Sequence, residues 1–282
     1  MHSTSIKQPT TQSRAMKVDN TLGQEPSTAT DFIQLLRHAT LLIKIGPYKL
    51  LIDPMLSAKG ALDPVANAGN DIRIPMTDLP FDAAWLNNIL KAVDAVIVTH
   101  LHRDHWDETA KQLIDKYKWI FCQPTDVDTI TAQGFKNVVS FENLTWKDLH
   151  FHRTGGHHGF GEIGKKMGPV SGVVIQYGGK SVYIAGDTVW CDEVQDGINN
   201  YQPGYIVVNA GAAAFLTGGP ITMTQEDVAT TIQSAPNAQV IAVHMDTVNH
   251  CLLTRNMLND YMKAIGLENK ILIPGDGQRI SI

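Results

Sequence analysis

A four-layer α/β architecture, two sheets with helices outside, is predicted by three features of the sequence. Short apolar runs alternate with amphipathic stretches along most of its 282 residues, and such runs are buried when helices cover a sheet. The order repeats, with strands followed by strand–helix alternation up to residue 153 and again from residue 171. Several runs also end directly in His or Asp, above all Val96-Ile97-Val98-Thr99-His100-Leu101-His102-Arg103-Asp104-His105.

The first part opens with a β-hairpin over residues 32–45 and 49–53, turned by Gly46-Pro47. Pro54 stops the second strand and leaves the Asp53 carboxylate at the sheet's end. Residues 57–80 are dotted with Gly and Pro and lack a period, which predicts a substrate-covering loop. A short helix over 81–93 precedes the buried strand 94–99. An amphipathic helix is expected over 107–118, with Ala110, Leu113, Ile114 and Tyr117 on one face. Strand 119–123, a helix over 125–133 ended by Gly134, and strands 138–141 and 147–153 follow.

The second part repeats this logic. Strands 171–177 and 181–185 form a hairpin around Gly178-Gly179 and run into Gly186-Asp187-Thr188. A helix over 191–201, strand 205–209, helix 225–234, strand 239–244, helix 254–265 and strand 270–273 complete the pattern. Thr224 and Asp227 have capping-box spacing at the start of helix 225–234.

Composition narrows the function. The chain is 43% hydrophobic and 18% charged, and holds no apolar run long enough to span a membrane. Its net charge of −5 offers nucleic acid no attraction. Three dispersed cysteines imply neither a disulfide framework nor a Cys-x-x-Cys site, which suits a reducing compartment. Residues 1–30 are polar, lack a signal peptide's apolar core and are expected to be a flexible extension. Residues 31–282 are expected to form a single domain of a cytoplasmic protein. It would act on a small molecule, without nucleic-acid or membrane partners, and homo-oligomers remain open.

His100 and His102, two apart on an extended backbone, place both rings on one face, and Asp104 and His105 follow at once. Three imidazoles and a carboxylate in this arrangement suit borderline divalent metals, zinc first, and serve two ions more naturally than one. A dinuclear site needs further donors at strand ends. His157 or His158 in the Gly-Gly-His-His-Gly loop, Asp187 after strand 181–185 and His244 closing strand 239–244 qualify. Asp53 is read as either a turn aspartate or a support of the metal loop, and His250, six residues after His244, as a substrate contact.

These motifs together resemble the metallo-β-lactamase superfamily: H-x-H-x-D-H, then His, Gly-Asp-Thr and a strand-end His, with Leu-Ile-Asp-Pro closing the first hairpin. The lactonase-like branch of small hydrolases is the nearest in pattern. The resemblance implies an αββα sandwich of two similar halves. It implies one metal on His100, His102 and His158, a second on Asp104, His105 and His244, and Asp187 bridging. His158 is preferred to His157 because the superfamily's ligand commonly stands just before a glycine. His102, where di-iron redox members typically carry Glu, implies two zinc ions, with Mn2+ or Fe2+ as alternatives. The stretches 152–168 and 244–255 resemble a bacterial branch that includes isothiocyanate hydrolases.

The implied chemistry is metal-assisted hydrolysis. Zinc lowers the pKa of bound water from 15.7 to about 7, giving hydroxide at neutral pH, with Asp104 as the catalytic group that orients it. An isothiocyanate would yield an amine and carbonyl sulfide; a lactone would open its ring. A metal-dependent phosphodiesterase or nuclease is the alternative from another class. Trp106, Phe160, Trp190 and Phe215 are candidate pocket aromatics; His150 and His152, on one strand face, are expected to have packing or surface roles, and His38 lies in the first hairpin, where cleft access is open but nothing supports it.

Overall fold

The computed structural model describes Val18–Asp19 and residues 30–282. The extension expected over residues 1–30 lies outside the described residues, apart from β1 (Val18–Asp19) and residue 30.

β2 (Phe32–Arg37), β3 (Thr40–Ile45) and β4 (Tyr48–Ile52) pair antiparallel. Every residue of β2 is buried, because both faces of this sheet are covered, and so the run shows no polar alternation. Gly46 turns β3 into β4 at φ 56°, and a side chain there would collide with the Tyr177 ring. α1 (Ala83–Ala92), capped by the Asp82 carboxylate, leads to β5 (Ala95–Val98). α2 (Glu108–Leu113), β6 (Trp119–Cys122), α3 (Val127–Ala132) and β7 (Asn137–Ser140) follow, and β4 to β7 run parallel.

The second half repeats that plan. β8 (Leu144–Trp146) and β9 (Leu149–Thr154) precede α4 (Gly161–Met167), β10 (Gly172–Tyr177) and β11 (Lys180–Ile184). Then come α5 (Asp192–Tyr201), β12 (Tyr205–Asn209), α6 (Gln225–Ser234), β13 (Gln239–Val243), α7 (Arg255–Ala264), β14 (Ile271–Leu272) and β15 (Arg279–Ser281). β9, β10 and β11 are antiparallel, whereas β11 to β14 are parallel. The sheets run β1-β15-β2-β3-β4-β5-β6-β7 and β14-β13-β12-β11-β10-β9-β8.

Residues such as Ile43, Ile97 and Phe121 meet Phe151, Val173 and Val207 between the sheets. Leu90, Ala110 and Ile130 bury the inner faces of α1, α2 and α3 on the first sheet, and Val194, Val228 and Leu258 those of α5, α6 and α7 on the second. The predicted αββα layering of two similar halves is therefore observed. No helix among the described residues is long and apolar enough to cross a membrane.

Two local expectations need correction, and one helix, α4, was not expected. The helix expected over 107–118 stops after Leu113, where Ile114 turns extended, so Leu113 and Tyr117 are exposed instead of sharing a buried face. The strand expected over 147–153 is half of the β8–β9 hairpin, with Lys147 at φ 55° in its turn. α4 has two glycines and no buried residue, so its sequence lacks both propensity and an apolar stripe.

The irregular 57–80 segment is tied down. Arg37, fully buried, donates from Nη2 to the Met55 and Ser57 carbonyls at 2.8 Å and from Nη1 to the Thr77 carbonyl at 3.0 Å. Burial pulls its pKa down to about 10, so it stays charged at pH 7. Asn249 adds a second clamp, accepting from the Val65 N–H at 2.9 Å and donating to the Asn70 carbonyl at 3.2 Å. Arg37→Met is expected to cost about 3 kcal/mol in urea unfolding, as truncating a buried, hydrogen-bonded charge does, and to speed proteolytic nicking within 57–80. Unchanged stability and nicking would show that the segment is held elsewhere.

Candidate metal centre

The donors meet where the carboxyl ends of the strands reach one rim. β5 ends at Val98, and Asp53, just past β4, receives the Thr99 N–H and hydroxyl, both at 2.8 Å. A turn follows in which the His105 and Trp106 N–H groups both donate to the His102 carbonyl at 2.9 Å. That turn places Asp104 and His105 in a second cluster beside the first, with the His105 ring still 4.2 Å from that of His100.

In the first cluster His100 Nε2 and His158 Nε2 lie 3.0 and 3.2 Å from His102 Nδ1. The opposite nitrogens are occupied. His102 Nε2–H donates to the Met167 carbonyl at 3.1 Å, and His158 Nδ1–H to the Ile221 carbonyl at 2.7 Å. The Thr99 hydroxyl, whose proton is engaged by Asp53, accepts from His100 Nδ1–H at 3.1 Å. Three ring nitrogens thus turn lone pairs toward one point, an arrangement that suits a cation. Their separations approach the ~3.3 Å edge of a tetrahedron with Zn–N bonds of about 2.0–2.1 Å. The donor set fits zinc.

In the second cluster the Nε2 atoms of His105 and His244 lie 3.2 Å apart, and Asp104 Oδ2 is 3.5 Å from His244 Nε2. Asp187 stands between the groups. Its Oδ2 is 3.2 Å from His105 Nε2 and 3.5 Å from His158 Nε2, and its Oδ1 is 3.3 Å from His244 Nε2. Asn209, at the end of β12, donates to Asp187 Oδ1 at 2.6 Å. Asp53 accepts from His105 Nδ1–H at 2.9 Å, which orients that ring.

The electrostatics divide along the same line. Burial pushes His100 well below the usual histidine range and His158 down to about 4, so both are neutral at pH 7. Burial also opposes charge on His105, yet Asp187, Asp53 and Asp104 together raise its pKa to about 10. His244 is likewise raised despite burial, chiefly by Asp187. Burial would raise Asp104 and Asp187, but the neighbouring His105 and other histidines hold both well below the usual carboxylate range.

All seven expected donors therefore converge. His157 does not: its partly exposed ring turns Nε2 to Glu193 at 3.0 Å. His250 is buried in the wall of a cavity of about 210 Å3 that opens over Asp104 and Asp187, with Val65, Ala66, Met167 and Phe215. Of the aromatic candidates only Phe215 lines it; Trp106 packs on Phe135, Trp190 joins the outer core of the second half, and Phe160 is exposed. Sequence reasoning missed Asn209, whose strand-end position was the available signal, and His38, which lies 3.1 Å from Asp104.

Fold and donor geometry together define a hydrolase of the metallo-β-lactamase type. Residues 48–245 match the family model described as Beta-lactamase superfamily domain. The chain belongs to this superfamily and, within it, to the UPF0173 family of metal-dependent hydrolases. It is 40% identical to the UPF0173 protein YddR of Bacillus subtilis over 251 residues, covering 87% of this chain and 98% of the relative. It is 29% identical to a UPF0173 metal-dependent hydrolase of Symbiobacterium thermophilum, covering 76% and 84% of the two chains. Among solved structures it resembles an isothiocyanate hydrolase from Delia radicum gut bacteria, with a TM-score of 0.83 and 38% identity, covering 89% of this chain and 100% of that one.

Proposed function

We propose that this hydrolase holds two zinc ions and cleaves isothiocyanates to an amine and carbonyl sulfide. The observation that carries the reading is the pair of donor clusters joined by Asp187 beneath a small cavity walled in part by Val65, Ala66, Met167 and Phe215. The cavity's ~210 Å3 is below the roughly 300–1,000 Å3 of drug-sized sites, which favours a small substrate. Arg103 is its only Lys or Arg among the described residues, and its Nη2 is spent on the Asp63 carbonyl at 2.7 Å, which disfavours a phosphate ester. The likeness to an isothiocyanate hydrolase over nearly the whole chain supports the substrate class.

His100, His102 and His158 would hold one ion, Asp104, His105 and His244 the other, with Asp187 shared. Bound zinc supplies Lewis acidity and makes water acidic enough to attack at neutral pH. Asp104, which faces the cavity, accepts a hydrogen from the attacking water and orients its oxygen toward the central carbon of N=C=S. Addition forms the C–O bond and places one proton on nitrogen. Cleavage of the C–N bond then delivers the second proton to nitrogen, releasing the amine and carbonyl sulfide. His250, in the cavity wall with its ring centroid 5.6 Å from that of Phe215, would contact the departing nitrogen. Val65, Ala66, Met167 and Phe215 receive the apolar tail and exclude bulk water.

Zinc-loaded protein assayed on an aryl isothiocyanate, a homoserine lactone and bis-nitrophenyl phosphate tests this reading. Amine and carbonyl sulfide should form from the first at least about 100-fold faster in kcat/KM than the others turn over. Dominant ring opening would make the enzyme a lactonase, and dominant phosphodiester cleavage would move it to the other class.

A further inference from the structure

We propose that His38 is a positioning residue of the second metal position, the donor that holds Asp104 with its Oδ2 turned toward His105 and His244. The inference rests on the two-metal reading above.

His38 is fully buried, and its Nε2 lies 3.1 Å from Asp104 Oδ2. An ionised carboxylate only accepts, so the ring donates its Nε2–H. Its Nδ1 is buried without a partner, as a neutral ring protonated on Nε2 requires. A protonated ring would leave a buried N–H unsatisfied. The same ring packs on His244 with centroids 3.6 Å apart and planes tilted by 38°. A ligand atom of His38 lies within 4.8 Å of those of Asp104, His105 and His244, but its Nε2 carries the hydrogen given to Asp104 and so has no lone pair there for a metal, which makes His38 a support of the cluster and not a ligand.

The backbone points the same way. His38 and Ala39 form the tight turn between β2 and β3, and His38 sits at φ 60°. Gly or Asn would occupy that conformation with less strain. The strain is offset by contacts that reach both halves of the sandwich, since the His38 carbonyl also receives the His244 N–H at 2.9 Å. One residue thereby sets Asp104 from the first half and His244 from the second.

The test is a zinc titration of the full chain against a competing chromophoric chelator, with wild type, H38Q, H38N and H38F. Gln places an amide N–H where Nε2 stood. Asn favours the turn's backbone but falls one methylene short. Wild type should bind two ions; H38N and H38F should keep the first and bind the second about 10–100-fold more weakly, while H38Q stays within about threefold of wild type. If H38F does not fold, the Gln–Asn comparison decides. Two ions held by H38N as tightly as by wild type, or H38Q as weak as H38N, overturns the role of His38 alone. A wild-type chain that binds a single ion overturns the two-metal reading and this inference with it.

Discussion

Asp187→Asn is expected to remove at least one of the two metals proposed above and to lower kcat/KM by about 10³-fold or more, as losing a charged group that holds catalytic ions does. Asparagine keeps the shape of the side chain, and its amide oxygen can still accept from Asn209 as Asp187 does at 2.6 Å. What it removes is one negative charge from a point between 3.2 and 3.8 Å from four histidine nitrogens. Two divalent ions side by side repel, and a shared carboxylate is what offsets that repulsion. Alanine at this position should do the same to metal content and also leave the Asn209 amide unpaired in a buried site, so it should be the less stable of the two. Metal analysis after gel filtration, followed by steady-state kinetics, separates these effects. Full metal content in Asp187→Asn would show that the carboxylate does not bridge.

Zinc loading at pH 7 is expected to release about two protons per chain, because histidine must be neutral to bind a metal. His105, raised to about 10, and His244, raised well above its usual range, carry those protons in the metal-free protein. Calorimetry in two buffers of different ionisation enthalpy counts them, and a buffer-independent heat would refute the assignment. Stability of the metal-free chain should follow the same groups. His105 is raised in the fold, so its contribution is fully present below about pH 6.5 and is lost as pH rises through its folded value of about 10. His158 and His38 are depressed by burial to about 4 and about 3. The unfolded chain takes up their protons below about pH 6.5, so stability falls as pH drops from there toward those folded values. Urea midpoints of metal-free protein at pH 5, 7 and 9 should therefore peak near neutrality.

Much of the site was legible because its donors stand where strands stop. A buried apolar run announces itself by composition, and a His or Asp closing such a run has few places to point. That reasoning reached His100, Asp187 and His244, and Pro54 after Asp53 marked a fourth position. His38 was not legible in this way. Its ring reaches Asp104 only because a two-residue turn takes φ 60°, and no periodicity reports that conformation. Nor could the His157–His158 pair be separated by spacing. The difference lies in which ring finds the Ile221 carbonyl and which finds Glu193, contacts 63 and 36 residues away. Local signals failed where tertiary packing decided: α2 stops short of Tyr117, and Trp106 turned inward to Phe135 instead of lining the cavity.

β15 gives the chain a particular order of assembly. The outer partner of β2 is a strand of residues 279–281, with Ile280 opposite Ile33 and Ser281 opposite Phe32. Gln34 of β2 is synthesised 245 residues ahead of Arg279 of β15, so until β15 is made β2 presents an open edge that is apolar except for Gln34 and Arg37. Unpaired edges of that kind recruit other strands. The same strand leads straight into Arg37 and His38, the residues that tie down the 57–80 segment and steady Asp104. The seating of these two residues is thus complete only once β15 has paired with β2. Removal of residues 279–281 would take away the strand that closes this edge, and the defect would fall on β2, far from them in the sequence.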